Sequence, residues 1–326
     1  MIELKDLKLN QGRWRKFVGA IPGAIQHQYR WPNPEMNDKD WYPQGLTGSS
    51  AGGKLFLLIG SYSKNENGTP IGARVAVFNV DANGPDRGCF SQILLVNDLG
   101  NGKYAPETQG TGNSKSLHVG GLASLGRQLL ATDTSKGLRR YDLGLIFEAT
   151  EISGKLVDVK DQTIHRSLAD FGCKYAVCRS QEIDLSSLVP PGVKAKFSFC
   201  DMPRPGYKLV TGSYEKWRSG STTPGILHLW MTNWADDGGL TVKFENWWTG
   251  KLGTQGASIS GNTVFLSRGH KGQDYMDAYH LGVENKLSSR VGRWRVPNGP
   301  EDLHISSGGH VWGLSLIHIS EPTRPY

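Results

Sequence analysis

The chain has 326 residues, 42 of them Gly and 16 Pro, with hydrophobic residues at 37% and aromatics at 10%. Gly and Pro together stay below the roughly 25–30% of low-complexity chains, so disordered, collagen-like and coiled-coil classes are excluded. The net charge of +7 is scattered, with short basic clusters only at Arg13–Lys16 and Arg290–Arg295, which argues against a nucleic-acid partner, and no apolar run reaches the length of a membrane-spanning helix.

The N-terminus, Met1–Phe17, is polar and charged. It lacks the apolar stretch of a secretion signal, so either the protein is cytoplasmic or its true start lies upstream. Residues 1–40 are polar and carry Pro22, Pro32 and Pro34 around Trp31. They are expected to form an extension packing on a body that begins at residue 41.

From there one pattern recurs, a polar-Gly or acidic anchor, a Gly turn and an apolar strand. The first copy is Gln44-Gly45-Leu46, Gly52-Gly53 and Leu55–Ile59. The second is Gly120-Gly121-Leu122, Gly126 and Gln128–Thr132. Two more are Gln255-Gly256-Ala257 with Thr263–Leu266, and Glu301-Asp302-Leu303 with Val311-Trp312. A fifth unit shows through its strand end, where Gly212-Ser213-Tyr214 repeats Gly60-Ser61-Tyr62. Each first pair is followed by an alternating strand, at Arg74–Phe78, Leu138–Leu143, Ile226–Trp230 and Asp277–Leu281. Period-two alternation with β-branched and aromatic residues marks half-buried strands. Most units add a fourth strand, at Ile93–Val96, Leu240–Phe244 and Val291–Val296.

Four up-and-down strands per unit make a propeller blade. The expected fold is therefore an all-β propeller over 41–313 with about five blades, the stretch 145–200 leaving room for a sixth. A β-sandwich is the second choice. A single helical turn is expected at Ser167–Phe171. The four cysteines, Cys89, Cys173, Cys178 and Cys200, lack zinc-site spacing. Cys173 and Cys178 lie close enough for a bridge, and buried thiols fit equally well.

Leu314–Arg324 reads LSLIHISEPTR, which resembles the translation of a sequencing-library adapter. Residues 314–326 are therefore expected to be an artefactual tail, and the last blade to be truncated, lacking its outer strands and less stable for it.

Ser135–Leu143 after Ala131-Thr132-Asp133 resembles the "ADTSRGLRVFDL" strand pair of bacterial propellers. With Trp41–Gly45 and His118–Leu122 it resembles a group of uncharacterised, mostly secreted actinobacterial propeller-like proteins. That resemblance implies an extracellular location and supports the fold; it implies no reaction.

In a propeller, ligands sit at the mouth of the central channel. The candidate residues are the anchors Gln44, His118, Gln255, Glu301 and Asp302, and then the strand-end residues Ser61, Asp133, Arg268 and His270. Asp133, Glu301 and Asp302 offer the hard oxygen ligands that calcium uses, and His118 or His270 fits a general base. Trp230, Trp234, Trp247 and Trp248 suit sugar stacking or packing between blades. No GxSxG, HExxH or P-loop pattern occurs. Asn67-Gly68-Thr69 fits a sequon but reads as a hairpin turn. Gly110-Thr111-Gly112 reads as a loop, and Asp236–Gly239 as a turn. Two functions are thus in view. The first is a monomeric, secreted, non-catalytic binding or scaffold propeller for a glycan or small molecule. The second is a cation-dependent hydrolase or lyase with its site at the channel mouth. If Met1 is the true start, an intracellular protein-interaction propeller is a third.

Overall fold

The computed structural model describes residues 1–13, 15–16, 29–30, 40–63, 71–80, 88–109, 115–158, 165–202, 208–215, 224–234, 239–270, 273–296, 299–306 and 311–315. At Arg15, Lys16, Tyr29, Arg30, His270 and Gln273 it describes the backbone alone. Asn67-Gly68-Thr69, Gly110-Thr111-Gly112 and Asp236–Gly238 lie outside the described residues.

The described chain is all-β apart from short helical turns at Leu4–Asp6, Ala149–Ile152 and Leu168–Phe171. The last of these is the turn expected from the sequence. Ser167 caps it and Asp170 closes the capping box, because both side chains satisfy N–H groups that a helix start leaves open.

Three two-residue strands come first: β1 (Gly12–Arg13), β2 (Arg15–Lys16) and β3 (Tyr29–Arg30). A first antiparallel meander follows, β4 (Trp41–Ala51), β5 (Lys54–Ser63), β6 (Ala73–Asn79) and β7 (Cys89–Gly100). The β4–β5 hairpin turns at Gly52 and Gly53, with φ of 57° and 75°. Both angles lie where only Gly is free of strain, the pattern of a two-residue hairpin turn. After the short β8 (Lys103–Pro106), a second meander holds β9 (Leu122–Leu125), β10 (Gln128–Asp133) and β11 (Gly137–Glu148). The chain then makes β12 (Leu156–Val157) and β13 (His165–Arg166) before returning as β14 (Tyr175–Asp184), antiparallel to β11. β14 also runs parallel to β7, Tyr175 opposite Ile93 and Cys178 opposite Val96. This joins the first two meanders into one twelve-stranded sheet, eight of whose strands follow the path β13-β12-β8-β7-β14-β11-β10-β9.

The third meander is β15 (Phe199–Asp201), β16 (Lys208–Gly212), β17 (Ile226–Trp234) and β18 (Leu240–Thr249). The fourth is β19 (Thr254–Ser260), β20 (Thr263–His270), β21 (Gln273–Leu281) and β22 (Leu287–Arg295). A two-stranded sheet closes the described chain, β23 (Pro300–Ile305) and β24 (Val311–Ser315). Leu314 and Ser315, assigned from sequence to the tail, are buried in β24. Among the described residues the stretch 145–200 holds no further four-stranded meander. It supplies the end of β11 and the outer strand β14.

Alternation along each strand sends neighbouring side chains to opposite faces, and this stacks the sheets. Phe56 and Leu58 of β5 face a core shared with Leu122, Leu129 and Tyr141 of the second meander. Leu57 and Ile59 face Phe78, Phe90 and Leu314. The second meander's other face, with Ala123, Leu130 and Leu138, meets Leu209 and Trp230 of the third. Leu227, Leu229 and Trp248 then meet Val264, Leu266 and Tyr279 of the fourth. The first strands of the four meanders and of the closing pair touch one another in the cyclic order β4, β9, β15, β19, β23 and back to β4.

The third strand of each four-stranded or three-stranded meander carries a buried ionisable side chain. Arg74 donates to the Phe171 carbonyl at 3.0 Å and lies over the Trp41 ring. Arg139 pairs with Glu107 and Asp133. His228 bonds the Lys194 carbonyl at 2.9 Å, and burial lowers its pKa to about 4. Asp277 takes Arg268 and Arg293, each at 2.6 Å. The four cysteines form no disulfide among the described residues, so the spacing of Cys173 and Cys178 is not used for a bridge. No described helix is long and apolar enough to cross a membrane.

Candidate functional site

Where the five first strands meet, a cavity of about 240 Å³ opens. Gln44 of β4, Gln255 of β19 and Glu301 of β23 line it from their strands. His118 and Gly120 line it from the segment leading into β9, and Lys196 and Ser198 from the segment leading into β15. Gln109, Thr134 and Tyr214 complete the wall. All five first strands, or the turns that feed them, thus contribute.

The floor explains the glycines beside the polar anchors. A Cβ at Gly45 would stand 2.6 Å from the Val119 carbonyl oxygen. One at Gly256 would stand 2.6 Å from Asp302 Oδ1, and one at Gly121 would overlap the Cys200 amide nitrogen. Real carbon atoms do not approach so closely, so the strands converge only because these positions lack side chains.

Of the five anchors, Gln44, His118, Gln255 and Glu301 face the cavity. Asp302 does not, because successive strand residues point to opposite sides. Its carboxylate sits fully buried in the floor and accepts the Leu46 and Leu303 N–H groups, each at 2.9 Å. Burial, with the Asp201 charge adding to it, pushes its pKa well above the usual range. Beneath lies another buried polar group, in which Asp201 pairs with His304 Nδ1 at 2.7 Å and accepts the Ser258 hydroxyl.

The strand-end residues fare differently. Ser61 is buried in β5 opposite Pro43 and Arg74, outside the cavity lining. Asp133 accepts Arg139 at 2.7 Å and the Ser135 hydroxyl at 2.7 Å. Burial alone would raise its pKa, but Ser135 and Arg139 outweigh it and hold the carboxyl below the usual value. Arg268 donates to the Leu252 carbonyl at 2.9 Å and to Asp277. His270 ends β20, with its side chain outside the described residues. Asp133, Glu301 and Asp302 therefore do not share one place. Among the described residues no three His, Cys, Asp or Glu side chains cluster as a metal site would require.

The tryptophans divide as well. Trp230 is fully buried and donates to Thr211 Oγ1 at 2.9 Å. Trp248 is 5% exposed and donates to the Gly282 carbonyl at 3.1 Å. Both serve packing between sheets, because a buried indole keeps its N–H bonded. Trp234 packs against the core of the second and third meanders.

Electrostatically the cavity centres on Glu301. The residue is 5% exposed, and its hydrogen-bond partner is the Gln255 amide at a long 3.5 Å. No Lys, Arg or His among the described residues forms an ion pair with it. Burial pushes its pKa to about 8, so at neutral pH it holds its proton and can both donate and accept. Tyr214 is pushed up too, by burial and then by the Glu301 carboxyl. Lys196 donates to the Tyr214 carbonyl at 3.1 Å and lies 3.8 Å from Glu215. The His118 ring lies 4.2 Å from that of Tyr62.

Gln109, Thr134, Lys196, Ser198 and Tyr214 were not singled out from sequence. Tyr214 was within reach, since the Gly-Ser-Tyr repeat places it at a strand end equivalent to Tyr62. Lys196 and Ser198 were not, because β15 carries no Gly anchor. The chain matches no family model and no curated protein.

Proposed function

We propose that the chain is a five-bladed β-propeller of the kind found in the mostly secreted actinobacterial group, and that it binds a sugar residue in the axial cavity without transforming it. The carrying observation is the convergence of the five first strands on one cavity whose lining residues carry amide, hydroxyl and imidazole groups, one ammonium at Lys196 and a single carboxyl. Three Gln side chains, Ser198, Thr134 and Tyr214 present donors and acceptors in several directions, as a polyhydroxylated ring demands. At about 240 Å³ the cavity lies just under the roughly 300–1,000 Å³ of drug-sized pockets, the scale of one or two rings.

Glycoside hydrolysis ordinarily uses two carboxyl groups flanking the scissile bond, and Glu301 is the one carboxyl among the lining residues. That favours binding over hydrolysis. Glycan-array screening followed by calorimetry tests the reading. A sugar ligand is expected, its affinity falling at least about tenfold in a Gln44→Ala, His118→Ala variant that melts within a few degrees of the parent. Absence of any sugar ligand, or an affinity unmoved by the double variant, refutes it.

A further inference from the structure

We propose that the ligand of the axial cavity carries a primary amine, an amino sugar rather than a neutral one, whose ammonium pairs with the Glu301 carboxylate. This rests on the cavity being a sugar site and adds the chemical class of the sugar.

A buried carboxyl is normally paired with a cation or wrapped in hydrogen bonds. Among the described residues the other deeply buried acids obey that rule, Glu107 through Arg139 and the Tyr141 hydroxyl. Asp133 has Arg139, Asp277 has Arg268 and Arg293, Asp201 has His304, and Asp302 has backbone N–H groups. Glu301 has one long contact to Gln255 and faces open space. The missing partner is therefore a cation that enters from outside.

The surroundings decide which cation. Gln255 from β19 and Tyr214 from beyond β16 flank the carboxyl, and neither carries charge at neutral pH. Lys196 is already held by the Tyr214 carbonyl and Glu215. Asp302, next in the chain, is turned into the floor. His118 stands on Tyr62 at the rim of the same wall. Calcium takes six to eight oxygen ligands, whereas the lining offers a single carboxylate, and no three His, Cys, Asp or Glu side chains cluster among the described residues. An ammonium needs one carboxylate and further acceptors; Gln255 touches the Glu301 carboxyl, and Gln44 and Gln109 line the same cavity.

The protons balance simply. Glu301 holds its proton in the empty site. When an ammonium enters, the carboxyl gives that proton to solvent and the ion pair forms. When the free amine enters, the proton passes from Glu301 to its nitrogen. The first route makes affinity rise with pH while the carboxyl is still protonated in the empty site.

The test is calorimetric titration of the full chain with glucosamine, glucose and N-acetylglucosamine at pH 6, 7 and 8, each in two buffers of different ionisation heat. Glucosamine is expected to bind at least about tenfold tighter than either neutral sugar. Its affinity should rise roughly tenfold from pH 6 to pH 7 with release of about one proton. Glu301→Gln should abolish both the preference and the proton release. Equal affinity for glucose and glucosamine overturns the amine claim and leaves the sugar site standing. Binding of none of the three overturns both. Calcium chloride binding that competes with glucosamine and vanishes in Glu301→Gln overturns the amine in favour of an inorganic cation. Should Glu301→Gln fail to fold, the comparison of the three sugars on the parent chain decides alone.

Discussion

Replacing Glu301 by Gln keeps the shape of the side chain and removes its ability to ionise. The sign of the effect follows from the raised pKa. In the folded chain the carboxyl holds its proton up to about pH 8, whereas the unfolded Glu releases it near its ordinary 4.5. Between those values the folded state binds more protons than the unfolded state, so stability falls as pH rises. The slope approaches about 1.4 kcal/mol per pH unit, on the order of 3 kcal/mol between pH 5 and pH 8. Above pH 8 the slope vanishes, because both states are then ionised. Asp302, also pushed up by burial, contributes with the same sign in parent and variant and cancels in their difference. Urea unfolding at half-unit steps from pH 5 to pH 9 measures that difference. The two proteins should be nearly equal at pH 5, and the variant should be the more stable by on the order of 3 kcal/mol at pH 8. Parallel stability curves would show that Glu301 ionises normally, and the account of an unpartnered carboxyl in the cavity would fail.

Two further perturbations test the scaffold. Gly121→Ala places a methyl group on the Cys200 amide; strands that cannot part should lose about 3 kcal/mol or more, read as a drop in melting temperature, and an unchanged melt would refute the close approach of β9 and β15. Arg139→Ala leaves Glu107 and Asp133 buried without their guanidinium and should cost roughly 3–5 kcal/mol in urea unfolding. A loss under about 1 kcal/mol would mean that the network is solvated, as exposed pairs are.

Much of the fold could be read from the residues in order. The apolar run Leu55–Ile59 and the alternation in Arg74–Phe78, with Gly52-Gly53 at a hairpin turn, fix local strands and turns, because side-chain period and backbone φ are local properties. The anchors marked the repeat, and the structure shows that their glycines, Gly45, Gly121 and Gly256, stand where neighbouring strands approach closely. The helical turn at Ser167–Phe171 was legible for the same reason, since the residues that make and cap it lie within four positions of each other.

What the sequence could not give is nonlocal. β15 has no Gly anchor, so its role as one of the five converging strands appears only through its contacts with β9 and β19. β14 pairs parallel with β7 across some eighty residues, a register that no short-range pattern encodes. Among the candidate residues, composition marked Asp133, Glu301 and Asp302 alike as oxygen ligands. Tertiary placement gave them three environments: an ion pair with Arg139, a cavity wall and a floor of backbone N–H groups. Their charges depend on those surroundings, since burial disfavours a carboxylate and a neighbouring guanidinium restores it. The sequence by itself determined that strands would form and where they would turn. The packing of one sheet on the next decided which acid kept its proton and faced open space.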